Sequence, residues 1–291
     1  MTIKQTEILE SNRLFHNKRA NRHDKVNSYI SKNGCKRFYE KLFIQIITKE
    51  NTVIEKSSIL ELGCGTGNFI EFLSTQGTAS YVGIDISEKM IDRAKQKLLK
   101  LNSSSNISLY AKSAEDFIEE IKLKNKKFDV IFSFSFLHHL FDPKRFLHSI
   151  EGILTPGGVY IALHEPNIFT MDKPDFAKYI DARLAYFFGY DTLDSNFLLR
   201  IKKIVFRFLW MLFGRIITSL GRSNSVKDLD YIDYQLNFGN FNLIEIIDLE
   251  ANQSIRIYTK PYGYFVFGLL KRFSKFPNNY FYLVIKNKNY L

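Results

Sequence analysis

Cysteine is scarce in this 291-residue chain, with Cys35 and Cys64 the only two. Cys64 lies between two glycines, where a disulfide would obstruct the turn, so a disulfide-stapled secreted fold is excluded and a reducing cytoplasm fits best. Histidines four residues apart with an intervening Glu, cysteine clusters and dense Asp groups are all missing, which leaves no metal-binding signature. No apolar run reaches the ~20 largely uncharged residues of a membrane span. The most apolar stretch, 197–220, is broken by Arg200, Lys202, Lys203, Arg207 and Arg215. Residues 1–14 carry Lys4, Glu7, Glu10 and Arg13 and no run of signal-peptide length, so export by that route is not expected. Internal repeats, low-complexity linkers and compact Lys/Arg blocks are also missing.

What the chain does have is a hydrophobic content of 45%, enough for a buried core, and a net charge of +11. The excess of Lys and Arg either solvates the surface or attracts an anionic partner: nucleic acid, an acidic lipid surface or a phosphorylated substrate. The length suits one α/β domain with an insertion.

From residue 57 to about 165, short β-branched runs alternate with helical-period segments, the pattern of consecutive βαβ units and a parallel sheet. Strands are expected at 58–62, 80–85, 107–111, 128–133 and 159–164, and two more at 242–250 and 279–286 complete a sheet of seven. Helices are expected at 68–75, 87–101, 114–123 and 143–154. Ser87 is the expected N-cap of the second of these. Asp142-Pro143 opens the fourth, which runs out at Thr155-Pro156-Gly157-Gly158. Residues 1–56 read as helices before the first strand, including the apolar stretch 38–47, and 168–236 as an inserted helical cap, with 57–167 and 237–291 forming the main sheet.

The segment Glu61-Leu62-Gly63-Cys64-Gly65-Thr66-Gly67 leads from a buried strand through a glycine turn into a helix. Glycines there permit positive φ and close approach of a ligand to helix N–H groups. An acid at the end of the next strand, Asp85, stands where a carboxylate can accept both hydroxyls of a ribose. The spacing is G-x-G-x-G and not the G-x-G-x-x-G of dinucleotide folds, so no pyrophosphate site is spelled out.

These residues, followed by Ser113-Ala114-Glu115-Asp116, Phe128-Asp129-Val130-Ile131-Phe132-Ser133, Leu137-His138-His139-Leu140 and Leu154-Thr155-Pro156-Gly157-Gly158, resemble the ordered motifs of class I S-adenosylmethionine (SAM)-dependent methyltransferases. The resemblance implies a seven-stranded Rossmann-like α/β sheet with its last strand antiparallel, flanked by helices and carrying the helical cap. It also implies SAM as cofactor. Position by position, Gly63, Cys64, Gly65 and Gly67 would pass beneath the methionine and ribose, with Glu61 ordering the loop. Asp85 would take the ribose hydroxyls and Ile86 would pack on adenine. Ala114 would offer backbone contacts to that ring and Glu115 would accept from its exocyclic amine. Ser133 and Phe134 would face the sulfonium. The plainer reading of Glu115 and Asp116 is an acid pair at a helix N-terminus.

A base is needed only if the acceptor holds a proton that it does not lose unaided. His164, at the carboxyl edge of the fifth strand, and His139, after the fourth, are the expected catalytic residues. One imidazole of the His138-His139 pair serves equally well to bond loop backbone. His16 and His23 lie in a leader that resembles the family's cofactor-covering segment, and surface exposure is their plainer reading. The Asn-Pro-Pro-aromatic signature of amino-group methyltransferases is replaced by Ser133-Phe134-Ser135, which argues against base or amide N-methylation.

The cap over the carboxyl edge should select the acceptor. Its segment 197–220 reads as a basic amphipathic helix that either contacts a lipid surface or packs on the main domain. Aromatic, basic 262–273 is a second such stretch. The expected activity is methyl transfer to a small, apolar or lipid-like acceptor at oxygen, carbon or nitrogen, in a cytoplasmic protein for which peripheral membrane contact through 197–220 is the alternative. An RNA methyltransferase and a non-catalytic SAM-fold binding protein are the alternatives, nucleic acid being disfavoured because no recognised RNA module is present.

Overall fold

The computed structural model describes residues 3–26, 33–101, 106–166, 254–258 and 280–286. Among them seven strands form one sheet: β1 (Ser58–Leu62), β2 (Ser80–Asp85), β3 (Ile107–Ala111), β4 (Phe128–Phe134), β5 (Leu154–Pro166), β6 (Ser254–Tyr258) and β7 (Tyr280–Lys286). Their order is β3-β2-β1-β4-β5-β7-β6. Pairs among the first five are parallel, and β7 runs antiparallel to both β5 and β6. The helices are α1 (Ile3–Arg19), α2 (His23–Val26), α3 (Asn33–Lys49), α4 (Ile70–Ser74), α5 (Glu88–Leu98), α6 (Ala114–Leu123) and α7 (Pro143–Glu151).

The central strands are buried on both faces, and alternation of side chains divides the core in two. Leu60, Leu62, Ile131, Tyr160 and Ala162 face one layer with Phe117, Ile121, Phe146 and Ile150 of α6 and α7. Ile59, Val130, Phe132, Ile161 and Leu163 face the other, with Phe43 and Ile46 of α3, Leu73 of α4 and Ala94 of α5. Strand order reverses between β1 and β4, so the loops leaving their carboxyl ends part on opposite sides of the sheet. That parting opens the crevice where ligands of such folds bind.

Six of the seven expected strands are present. The expected strand at 242–250 lies outside the described residues, as do the cap at 168–236 and the stretch 262–273, and the remaining strand of the sheet is Ser254–Tyr258. The helix caps follow the sequence: Ser87 Oγ accepts from Met90 N at 3.1 Å and Asp142 Oδ1 from Arg145 N at 2.9 Å.

The largest boundary difference lies at the start of β5. The expected turn at Thr155-Pro156-Gly157-Gly158 lies within β5, which starts at Leu154, and α7 stops at Glu151. Phe128 pairs with Leu154 and Val130 with Val159, so the extra residues form a bulge. Gly158 makes it possible, because a Cβ there would lie 2.8 Å from Thr155 O and 3.1 Å from Phe128 O.

Candidate functional site

The loop after β1 is built from positive-φ glycines: Gly63 at 70°, Gly65 at 53° and Gly67 at 75°. Two of them are sterically required. A Cβ on Gly63 would meet Phe136 Cδ2 at 2.6 Å, and one on Gly67 would meet Ile70 Cδ1 at 2.6 Å. At Gly65 the nearest atom is His23 Cε1 at 4.0 Å, so its open face belongs to the cavity. Gly67→Ala is expected to cost about 1–3 kcal/mol of stability through strain and overpacking. Gly65→Ala should lose less stability and more ligand affinity. Urea unfolding alongside ligand calorimetry separates the two, and equal effects at both positions would contradict the assignment.

Asp85, half-buried at the end of β2, closes the loop from the other side. Its Oδ2 accepts from Gly65 N at 2.9 Å and its Oδ1 from Ser87 N at 2.8 Å. Burial pushes its pKa up to about 6 against these hydrogen bonds. Glu61, 2% exposed on β1, accepts from the Tyr81 hydroxyl, and burial raises its pKa to about 8. Cys64 is buried, with its N–H donated to Ile84 O at 2.8 Å and its thiol pushed up by burial.

A cavity of about 370 Å³ lies above this loop, at the small end of the range for ligand sites. Its lining brings together Glu61, Gly63, Cys64, Gly65, Asp85 and Ile86 from the β1 and β2 ends. Ala114 and Glu115 join from the start of α6, and Phe134 from β4. Glu115 is raised by burial, and the neighbouring N-cap is Ser113, whose Oγ accepts from Asp116 N at 3.2 Å. Two of the expected cofactor residues are not in the lining. Gly67 lies under it against Ile70, and Ser133, fully buried, bonds the Tyr160 hydroxyl at 2.8 Å.

The leader supplies another wall. Leu9, Asn12, Phe15, His16 and Arg19 of α1 line the cavity, as does His23. Arg13 and Asn17 hold α1 to the start of α5: Arg13 pairs with Glu88 at 3.1 Å, and Asn17 accepts from Ser87 Oγ at 2.7 Å and donates to Glu88 at 2.9 Å. Asp24 fastens α2 to the glycine loop, accepting from Thr66 Oγ1 at 2.6 Å and pairing with Lys97 at 2.8 Å. Burial opposes the charge on Asp24, but hydrogen bonds from His23, Lys97 and Thr66 hold its carboxyl well below the usual range.

The two histidines expected to be catalytic occupy different places. His139 lines the cavity, its ring 5.1 Å from that of His16. Burial drives its pKa well down, with His138 and His16 adding to the effect. His164 is 4% exposed and absent from the lining. It stacks on Phe134, 5.1 Å between centroids, and its Nδ1 is 3.0 Å from Ser135 Oγ; burial lowers its pKa to about 3.

Backbone geometry explains this. His164 has φ 58°, a left-handed conformation that β-strand residues avoid, and the β5–β7 register breaks between Ala162 and Glu165. The break turns Glu165 under the loop that follows β4. Glu165 is fully buried and accepts from Phe136 N at 2.8 Å, Leu137 N at 3.0 Å, His138 N at 3.4 Å and His138 Nδ1 at 2.9 Å. Sequence reading passed over Glu165 and over Asn12, because their partners lie 27 to 127 residues away. Among the described residues no group of His, Cys, Asp or Glu could hold a metal ion, and no helix is long and apolar enough to cross a membrane.

Comparison with known proteins agrees with this architecture. A family profile described as "Methyltransferase domain" matches residues 55–179. An uncharacterised protein of Haemophilus influenzae is 31% identical over 159 residues, covering 50% of this chain and 61% of the relative. Malonyl-[acyl-carrier protein] O-methyltransferase 2 of Ilyobacter polytropus is 29% identical over 178 residues, covering 59% and 65%. The chain thus spans under two thirds of the length of these relatives. The solved plantazolicin methyltransferase BpumL in complex with SAH (S-adenosylhomocysteine) superposes with a TM-score of 0.52 at 17% identity, covering 98% of both chains, a likeness of fold. Residues 55–179, which carry the glycine loop, Asp85 and the reversal between β1 and β4, thus match a methyltransferase domain.

Proposed function

We propose that this chain binds SAM in the cavity above the glycine loop and transfers its methyl group to a small-molecule acceptor. The observation that carries the reading is the convergence on one cavity of a glycine cradle open at Gly65, a half-buried carboxylate at Asp85 and a second acid at Glu115. These residues fit an adenosyl amino acid: Asp85 for the ribose hydroxyls, Ile86 and Ala114 for the adenine faces, Glu115 for its amine, and the loop from Glu61 to Gly65 for the amino-acid end. When bound, the sulfonium supplies an electrophilic methyl group that needs no further activation.

The chain's own work is therefore alignment and exclusion of water. Asp85 fixes the ligand relative to the loop because the same carboxylate holds Gly65 N and Ser87 N. Phe134 and Phe136, from the end of β4 and the loop beyond it, form an aromatic flank. The leader helices, tied down through Glu88 and Asp24, cover the ligand from the solvent side.

A small acceptor is favoured over RNA because the cavity is of single-ligand size and α1 occupies one wall of it. That the relative from Ilyobacter polytropus is named an O-methyltransferase supports oxygen as the acceptor atom. Isothermal calorimetry tests the reading: heat is expected with SAM and with SAH and none with NAD. Binding of NAD, with silence toward both sulfur ligands, would overturn it.

A further inference from the structure

Among the described residues, Arg19 and Lys112 are the permanent cations that line the cavity. Lys112 is paired with Glu120. Arg13, earlier on α1, is paired as well, with Glu10 at 2.7 Å and Glu88 at 3.1 Å. Arg19, the last residue of α1, has no carboxylate within ion-pair range among the described residues. Its guanidinium lies over the ring of Phe15, 4.1 Å from the centroid, and that ring lines the cavity too. Stacking on an aromatic face holds the planar group in place and leaves its in-plane N–H groups to donate. A fork held in this way matches two oxygens of a carboxylate or a phosphate.

The leader runs from the loop after β4 toward the glycine loop. At one end the His16 ring meets that of His139 at 5.1 Å, and at the other His23 Cε1 stands 4.0 Å from where a Cβ on Gly65 would lie. Arg19 comes one helical turn before His23, and the Phe15 ring beneath it is 5.3 Å from that of His16. His23 therefore stands over the loop assigned above to the amino-acid end of the cofactor, and Arg19 belongs to the side nearer the β4 loop. Desolvation holds His16 and His139 neutral, so Arg19 carries the fixed positive charge on this wall.

Arg19 is also exposed, so an anion that it holds keeps part of its hydration and escapes the cost of full burial. Arg22, exposed in the next turn, donates its N–H to Arg19 O at 2.8 Å and brings a second positive charge to the same rim.

We propose, on the basis of the methyltransferase reading above, that the acceptor is an anion whose carboxylate or phosphate is gripped at the cavity mouth by Arg19, with Arg22 adding to the attraction. Arg19 is then a specificity-determining residue that holds the acceptor by its charged handle. Part of the net charge of +11 thereby acquires a partner. An ammonium would meet like charge at this rim. A neutral acceptor would leave the guanidinium in water and gain nothing from it.

The test uses the full chain and begins with SAH calorimetry. Protein loaded with SAH is then titrated with matched probes by saturation-transfer NMR: benzoate, phenyl phosphate, benzyl alcohol and benzylamine, and octanoate, octyl phosphate, octanol and octylamine. The anionic members should bind about tenfold more tightly than the alcohols and amines, one charge-assisted contact being worth that factor. Arg19→Gln should remove this preference and leave SAH affinity within about twofold, and Arg19→Lys, which keeps the charge but loses the fork, should fall between. The tighter of the carboxylate and phosphate probes identifies the anion. Preference for the alcohols or amines, binding of no probe, or an unaltered preference in Arg19→Gln would overturn the proposal. So would a loss of SAH affinity in Arg19→Gln as large as that of the anionic probes, because it would place Arg19 on the cofactor's own carboxylate. Failure of the parent chain to bind SAH condemns the methyltransferase reading, whereas SAH binding with any of these contrary results condemns this proposal alone.

Discussion

Asp85→Ala is expected to weaken SAH binding by about 100-fold or more in calorimetry. Hydrogen bonds to a charged group are worth roughly 1.5–3 kcal/mol each, so losing a carboxylate that takes two ribose hydroxyls removes at least ~3 kcal/mol, two factors of ten. The damage extends to the loop, because the same carboxylate holds Gly65 N at 2.9 Å and Ser87 N at 2.8 Å. Asp85→Asn separates these effects. It preserves shape but turns an N–H toward one of the two backbone donors, and an intermediate loss is expected.

The pH dependence has a definite sign. Desolvation raises Asp85 to about 6, so the free protein carries the carboxylate above that pH and the neutral acid below it. Ligand hydroxyls bind the carboxylate better, so SAH affinity should fall by roughly tenfold between pH 7 and pH 5. The stability contribution of Asp85 runs the other way. Its folded pKa lies above the 3.8 of a free aspartate, so the folded state takes up a proton first and this group's penalty is relieved as pH falls from 6 toward 4. Opposite slopes for affinity and for stability in the same pH window are the expected signature. An alanine variant that binds SAH like the parent would contradict the place given to Asp85.

The glycine loop, Asp85, the caps at Ser87 and Asp142 and six strands were legible in the sequence because each is fixed by chemistry within a few residues of itself. Positive φ demands glycine where Phe136 and Ile70 crowd the chain, and a helix start demands a side-chain acceptor. What escaped was set by distance along the chain or by a local rule being broken. Its place at the carboxyl edge of β5 made His164 an expected site residue, but its left-handed φ sets it against Phe134, and Glu165 takes the loop after β4. Asn12 gave no signal in the sequence, since its partner at His139 lies 127 residues away. The strand Ser254–Tyr258 was not expected from the sequence, and the expected segment 242–250 lies outside the described residues.

Glu165→Ala is expected to be the most destabilising single change at the site, costing about 3–5 kcal/mol in urea unfolding with an unchanged m-value. The side chain is fully buried, and its loss strands the N–H groups of Phe136, Leu137 and His138 together with His138 Nδ1. Each orphaned buried donor carries a cost of its own. Glu165→Gln keeps an oxygen for Phe136 and Leu137 but sets its amide N–H groups against His138, so it should recover part of the stability while leaving His138 without its anion. His138→Ala removes a single donor from a carboxylate that keeps three, and should cost far less than either. The effect should also reach the cofactor loop, because the Phe136 ring fills the space over Gly63 and moves with the backbone that Glu165 holds. Weaker SAH binding in Glu165→Ala, with Asp85 untouched, is therefore expected. A stable Glu165→Ala protein would mean that the loop after β4 is held by something other than this carboxylate.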